Sequence, residues 1–320
     1  MQTGIPVTEM NLPDSPESST KMNGFPNYNS GSAMRSFLDA RGLSVRKQWG
    51  QNFLINQRAR DFIAGSLEAE NGAAVWEIGS GLGNMTHELL KRGIKVTAFE
   101  IDPGFCSVLG ELFARNKDFS LIRGDVLKTW KTTERAPYLL GNLPYTVAAM
   151  LIGNLIEGSC FFDKMIITVQ KEVARRMAAL PGSKDYSSIS VLCASAYTMK
   201  IIMNLKGQSF YPVPHVDSAV VCFKRIINTS VPPPLFYPLV RSLFASRRKT
   251  IVNNLLNFIG RSCTIRNMGC NTAEIAAGAL KTCGLTGGER AEELPCKTFF
   301  TLALELGNYI EEKNVHSRTD

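Results

Sequence analysis

Between residues 73 and 224, short apolar runs alternate with stretches of helical period, and no other feature of the chain limits its fold so tightly. The runs lie at 73–78, 94–99, 119–122, 137–140 and 165–169, each short enough for a buried strand. Helical patterns follow at 84–92, 103–115, 146–157 and 171–180, and a further one precedes them at 57–70. Strands that alternate with helices predict an α/β fold, a Rossmann-like doubly wound sheet that is largely parallel. After a helix at 187–197, strands at 199–205 and 218–224 are predicted to close the sheet as an antiparallel edge joined by a tight link. In such sheets ligands bind beyond the carboxyl ends of the strands.

The flanks differ. Residues 1–33 are rich in Ser, Asn, Pro and Gly without periodicity and are expected to form a disordered tail. Residues 34–230 then form the α/β domain. Past Val231-Pro232-Pro233-Pro234 the strand signal fades, and helices at 235–245, 249–259, 272–280 and 296–310 predict a small all-helical domain over 231–320. Among 320 residues Lys and Arg outnumber Asp and Glu by 36 to 28, which favours a polyanionic partner. No apolar run reaches the ~20 residues of a membrane span, and no charged segment leads into an apolar one at the N-terminus, so a cytoplasmic, membrane-free monomer is expected. The eight cysteines form no CxxC pair, so they are read as reduced core residues, and no metal site is expected.

The strand ends carry the chemistry. Glu77-Ile78-Gly79-Ser80-Gly81-Leu82-Gly83 turns from the first strand into its helix, and its glycines let a ligand approach the backbone. The spacing is GxGxG, because Asn84 stands where a GxGxxG dinucleotide fingerprint requires glycine. Glu77 can hold the amino-acid end of a methionine-bearing nucleoside. The second strand ends in Glu100-Ile101-Asp102, and Glu100 follows Gly81 at the distance where an acid binds ribose hydroxyls in this topology. The third ends in Gly124-Asp125-Val126, where Asp125 can accept from an adenine amine while Ile101 and Val126 flank the ring. Upstream, Gly50-Gln51-Asn52-Phe53-Leu54 can fold over the ligand, with contacts from Asn52 and the Leu54 backbone. Together these residues describe an S-adenosylmethionine site.

The fourth strand ends in Asn142-Leu143-Pro144-Tyr145. The Asn142 amide oxygen and the Pro144 carbonyl can accept both N–H groups of an exocyclic amine, and Tyr145 can stack on the base. Phe210 is expected on the opposite face. Holding the amine of an adenine in line with a methyl donor needs alignment more than a strong base. The three histidines, at 87, 215 and 316, do not cluster with these residues.

This set, with Gln170-Lys171-Glu172-Val173-Ala174-Arg175-Arg176, the segment 210–221 and Arg247-Arg248-Lys249-Thr250, resembles the KsgA-type ribosomal RNA adenine dimethyltransferases over about residues 45 to 260. The resemblance implies dimethylation of N6 on two adjacent adenines near the 3′ end of 16S, small-subunit, ribosomal RNA, late in assembly of the 30S particle. It implies that Asn52, Leu54, Gly79, Glu100, Asp125 and Asn142 touch the cofactor, that Tyr145 and Phe210 hold the base, and that Arg247, Arg248 and Lys249 face RNA phosphates. Ser80 stands where the family has a proline, which should loosen the glycine turn. Two other readings use the same fold: a large-subunit (23S) adenine methyltransferase of the macrolide-resistance type, and a non-catalytic RNA-binding assembly factor. The 210–221 and Arg247–Thr250 segments favour the small-subunit group, and the intact acids and Asn142 favour an enzyme.

Overall fold

Ser30 accepts a hydrogen bond from the N–H of Ala33 and opens helix α1 (Gly31–Asp39). Strand β1 (Phe53–Leu54) and helix α2 (Gln57–Ser66), capped by Asn56, follow. Strand–helix units come next: β2 (Ala74–Ile78) with α3 (Asn84–Lys91), β3 (Lys95–Glu100) with α4 (Pro103–Leu112), and β4 (Phe119–Arg123) with the short α5 (Val126–Thr129). β5 (Tyr138–Asn142) leads into α6 (Tyr145–Glu157), and β6 (Lys164–Gln170) into α7 (Lys171–Met177). Then come α8 (Ser188–Ala194), β7 (Tyr197–Leu205), β8 (Phe210–Tyr211) and β9 (Ser218–Arg225). Helices α9 (Phe236–Phe244), α10 (Ile251–Arg261), α11 (Thr272–Thr282) and α12 (Cys296–His316) complete the chain. The computed structural model describes residues 24–46, 49–143, 145–227, 231–261 and 271–316; for 145, 146 and 311–316 it describes the backbone alone.

Seven strands form one sheet in the order β4-β3-β2-β5-β6-β9-β7. The pairs from β4 through β6 are parallel, and β9 runs antiparallel to β6 with Ile167 opposite Val221. β2 and β6 are buried almost throughout, as central strands with both faces covered must be. The order starts at β2 and reverses there toward β5, so the carboxyl ends of β2, β3, β4 and β5 open onto one crevice. The link between β7 and β9 is not tight. It runs through β8, which leaves the main sheet and pairs antiparallel with β1, setting Phe53 opposite Tyr211 and Leu54 opposite Phe210.

Residues 24–33, expected as part of a tail, are packed instead. From Gly24 onward the chain packs: Tyr28 is 5% exposed and Met34 and Leu38 are buried with Leu82 and Phe105. Polar composition hid an apolar set spaced along a turn and α1. The chain divides into two compact units, residues 1–175 with 198–225, and residues 176–197 with 226–320. In the second unit Tyr186 donates to the Leu294 carbonyl at 3.0 Å and its ring meets Phe244, so the α8 segment belongs with the later helices. α8, whose Ile189, Val191, Leu192 and Cys193 are buried, packs on α9 and α12, more than forty positions downstream, which a boundary drawn along the chain cannot express.

Candidate active site

The turn after β2 keeps three glycines in the left-handed region, with φ of +74° at Gly79, +57° at Gly81 and +82° at Gly83. A Cβ on Gly81 would lie 2.9 Å from the Phe53 ring, and one on Gly83 would lie 2.5 Å from the Phe113 ring. The turn is tied to the neighbouring strand: the N–H groups of Gly79 and Ser80 both donate to the Phe99 carbonyl, at 2.9 and 3.3 Å. A proline at position 80 could not make the second bond, so Ser80 ties the turn and does not loosen it.

Glu100, at the end of β3, uses both oxygens. Oε2 accepts from the Gly81 N–H at 2.7 Å and Oε1 from the Asp102 N–H at 2.9 Å. Burial raises its pKa above the usual carboxylate range, against the lowering effect of those bonds. Each oxygen retains a lone pair, so the side chain can still accept from two hydroxyls. Glu77 is buried, and Thr86 Oγ1 donates to its Oε2 at 2.5 Å. Desolvation pushes its carboxyl up to about 8, and Thr86 only partly offsets this. Asp125 caps α5 by accepting from the Leu127 N–H at 2.9 Å.

Asn142 ends β5 and donates Nδ2 to the Asn52 carbonyl at 2.7 Å. A carbonyl has no proton, so only the NH2 end of the amide can face it, and the amide oxygen points away as an acceptor. Asn52 donates its own Nδ2 to the Gly50 carbonyl at 3.0 Å. Gln51 Nε2 donates to Asp102 Oδ2 at 3.0 Å, fastening the same segment to the start of α4. The sequence reading quotes Gln51 and Asp102 within their motifs but gives neither a role of its own.

One cleft gathers Asn52, Glu77, Gly79, Gly81, Glu100, Ile101, Asp125, Val126 and Asn142. Trp49, Phe53, Leu143 and Val147 add apolar walls that sequence reasoning did not single out. Leu54 and Phe210 are not among the described residues lining it. Both are buried in the core beside Ile63, Met203 and Val220, with Phe210 only 2% exposed. Alternation along β8 turns Phe210 inward and Tyr211 to the opposite cluster, so this geometry does not present the Phe210 ring to a base. The Leu54 carbonyl is taken by Asn84 Nδ2 and Arg60 Nη1. Pro144 and the side chain of Tyr145 lie outside the described residues.

In the second unit Arg247, Arg248 and Lys249 are exposed on the turn between α9 and α10, and α10 begins at Ile251, not at Lys249 as expected. Buried Asn254 shapes that turn by donating to the Leu243 and Ser246 carbonyls, both at 3.1 Å. Arg247 is already engaged: its Nη2 donates to Glu292 Oε2 at 2.7 Å and to the Lys184 carbonyl at 3.1 Å.

Residues 42–274 match the family model described as ribosomal RNA adenine dimethylase. The chain belongs to this family. It is 39% identical to the ribosomal RNA small subunit methyltransferase A of Treponema denticola, over 88% of this chain and 97% of that one. Its counterpart of the same name in Treponema pallidum is 42% identical, over 87% and 96%. Among solved structures, a dimethyladenosine transferase from Plasmodium falciparum aligns with a TM-score of 0.69 at 25% identity, covering 79% of this chain and 96% of that one. The 23S rRNA methyltransferase ErmE aligns with a TM-score of 0.56 at 22% identity, a likeness of fold.

As a member of this family the chain is an S-adenosylmethionine-dependent methyltransferase, and the cleft suits that cofactor. Gly79 and Gly81 leave a cradle that a Cβ would fill, and a carboxylate stands at each of two successive strand ends. Among the described residues no helix is long and apolar enough to cross a membrane.

Proposed function

We propose that this enzyme dimethylates N6 of two adjacent adenines in a hairpin near the 3′ end of 16S, small-subunit, ribosomal RNA, acting in the cytoplasm as a monomer on an immature 30S particle. The observation that carries the reading is the Asn142–Asn52 hydrogen bond, which aims an amide oxygen from the end of β5. The names of the two Treponema relatives support the choice of the small subunit.

In this reading Glu100 accepts the ribose hydroxyls, Asp125 Oδ2 accepts the adenine amine of the cofactor, and Ile101 and Val126 flank its ring. Glu77 and the backbone at Gly79 and Gly81 receive the methionine end. When bound, S-adenosylmethionine supplies an electrophilic methyl group on a positively charged sulfur. Asn142 Oδ1 and the Pro144 carbonyl accept from the target N6, and Tyr145 stacks on the base. The two acceptors localise the nitrogen lone pair and point it at the methyl carbon. The chemistry so supplied would be methyl transfer to the N6 that Asn142 Oδ1 and the Pro144 carbonyl hold, and the methylated nitrogen, acidic at that moment, would release its proton to water. Alignment and fixed dipoles carry this step without a general base.

The test is transfer of labelled methyl groups to immature small-subunit particles, naked small-subunit RNA and naked large-subunit RNA. Dimethyladenosine in the small-subunit particle is expected. Transfer to large-subunit RNA alone overturns the reading.

A further inference from the structure

Leu82 stands between the loop glycines Gly81 and Gly83, and residues upstream of the family match, which begins at residue 42, hold it at both ends. Its side chain is fully buried in a cluster with Tyr28, Met34, Leu38 and Phe53. Its carbonyl accepts from the Tyr28 hydroxyl at 2.8 Å. Burial raises the Tyr28 phenol far above its ordinary range, so it stays a donor at any working pH.

Tyr28 is anchored in turn. Arg60, 1% exposed, donates Nη1 to the Tyr28 carbonyl at 3.1 Å and to the Leu54 carbonyl at 2.9 Å. Its Nη2 reaches Asn29 Oδ1 and Gln57 Oε1, and Glu88 lies 3.8 Å away as counter-charge. Phe25 packs 5.3 Å from the Phe113 ring, the ring that a Cβ on Gly83 would strike. A charge buried this deeply is costly unless its donors meet oxygens; Nη1 and Nη2 meet four, two of them on residues 28 and 29, while Nε makes no hydrogen bond and faces only the Glu88 carboxylate.

We propose that residues 24–30 form a strap that sets the conformation of the cofactor-binding glycine loop, with Tyr28 as its positioning residue. A loop with three glycines has many conformations open to it, and a ligand that binds one of them loses affinity in proportion to the others. The Tyr28–Leu82 bond removes alternatives, because swinging the loop away leaves a buried carbonyl unpaired. The inference rests on the methyl donor and not on the RNA target.

The experiment uses the full chain with Tyr28→Phe, which keeps the ring and removes the donor. S-adenosylhomocysteine is titrated by calorimetry without RNA, and amide hydrogen exchange is followed at Leu82 to Met85. Affinity about tenfold weaker, faster exchange in the loop, and a raised KM for the cofactor with kcat nearly unchanged are expected. Affinity within about twofold of the native chain with unchanged exchange overturns the proposal, even if the melting temperature falls. Should Tyr28→Phe fail to fold, Phe25→Leu carries the same test: faster loop exchange and weaker binding support the strap, and native values for both refute it. An error in the RNA target would leave the calorimetric and exchange readouts untouched, because neither uses RNA.

Discussion

The side-chain amide of Asn142 donates to the backbone carbonyl of Asn52 across 2.7 Å, joining the end of a central strand to a segment ninety residues earlier. This bond decides which end of the amide faces the cleft. Asn142→Ala should lower kcat by roughly 10²–10³ while S-adenosylhomocysteine still binds. Asn142→Asp is the sharper comparison. It keeps acceptor oxygens but cannot donate to Asn52, so it too should fail. Single-turnover transfer of labelled methyl groups checks both, and an Asp variant with native turnover would refute the orienting role.

Gly81 combines a left-handed backbone with a ring in the way of any side chain. In Gly81→Ala the strained φ alone costs roughly 1–2 kcal/mol, and the Phe53 ring must also shift. Because Phe53 and Gly81 both line the cleft, cofactor affinity should fall by more than about tenfold. Calorimetric titration and thermal melting measure the two effects separately.

Glu77 predicts a pH dependence of stability. Its buried carboxyl titrates near 8 against an ordinary value of 4.5, so the folded state keeps the proton over a window in which the unfolded state has released it. Stability from this group is complete below about 4.5, declines as pH rises toward 8 and levels off above. Glu77→Gln should remove that decline, which is worth at most about 4 kcal/mol between pH 5 and 8. Urea unfolding at pH 5, 6.5 and 8 gives the slope; an equal slope in both proteins would refute the assignment.

The basic run should split by residue. Arg248 and Lys249 are exposed, whereas Arg247 is held by Glu292 and the Lys184 carbonyl. Arg248→Ala and Lys249→Ala should each weaken RNA binding and reduce the slope of log affinity against log salt by about 1. Arg247→Ala should chiefly lower the melting temperature. Filter binding across a salt series, set beside melting curves, distinguishes the two classes.

Local chemistry made much of this enzyme readable. Period alone marks the strands of the parallel sheet, and the acids at 77, 100 and 125 with Asn142 mark their carboxyl ends, because those residues are dictated by positions a few residues apart. The family resemblance rests on the same local motifs. Contacts between distant segments were not readable in this way. Phe210 reads as a base-stacking ring until its pairing with Leu54 turns it into the core. Residues 24–33 read as tail because their apolar side chains are few, and only the folded chain brings Leu82 and Phe105 to them. The α8 segment reads as part of the first domain because it lies between two of its strands, yet it belongs to the second unit, where Tyr186 just before it meets the Phe244 ring and the Leu294 carbonyl. In each case the sequence carries which side chains must leave water, and only the tertiary structure decides which neighbours they leave it with, because burial is a property of the side chain and partnership a property of the whole chain's path.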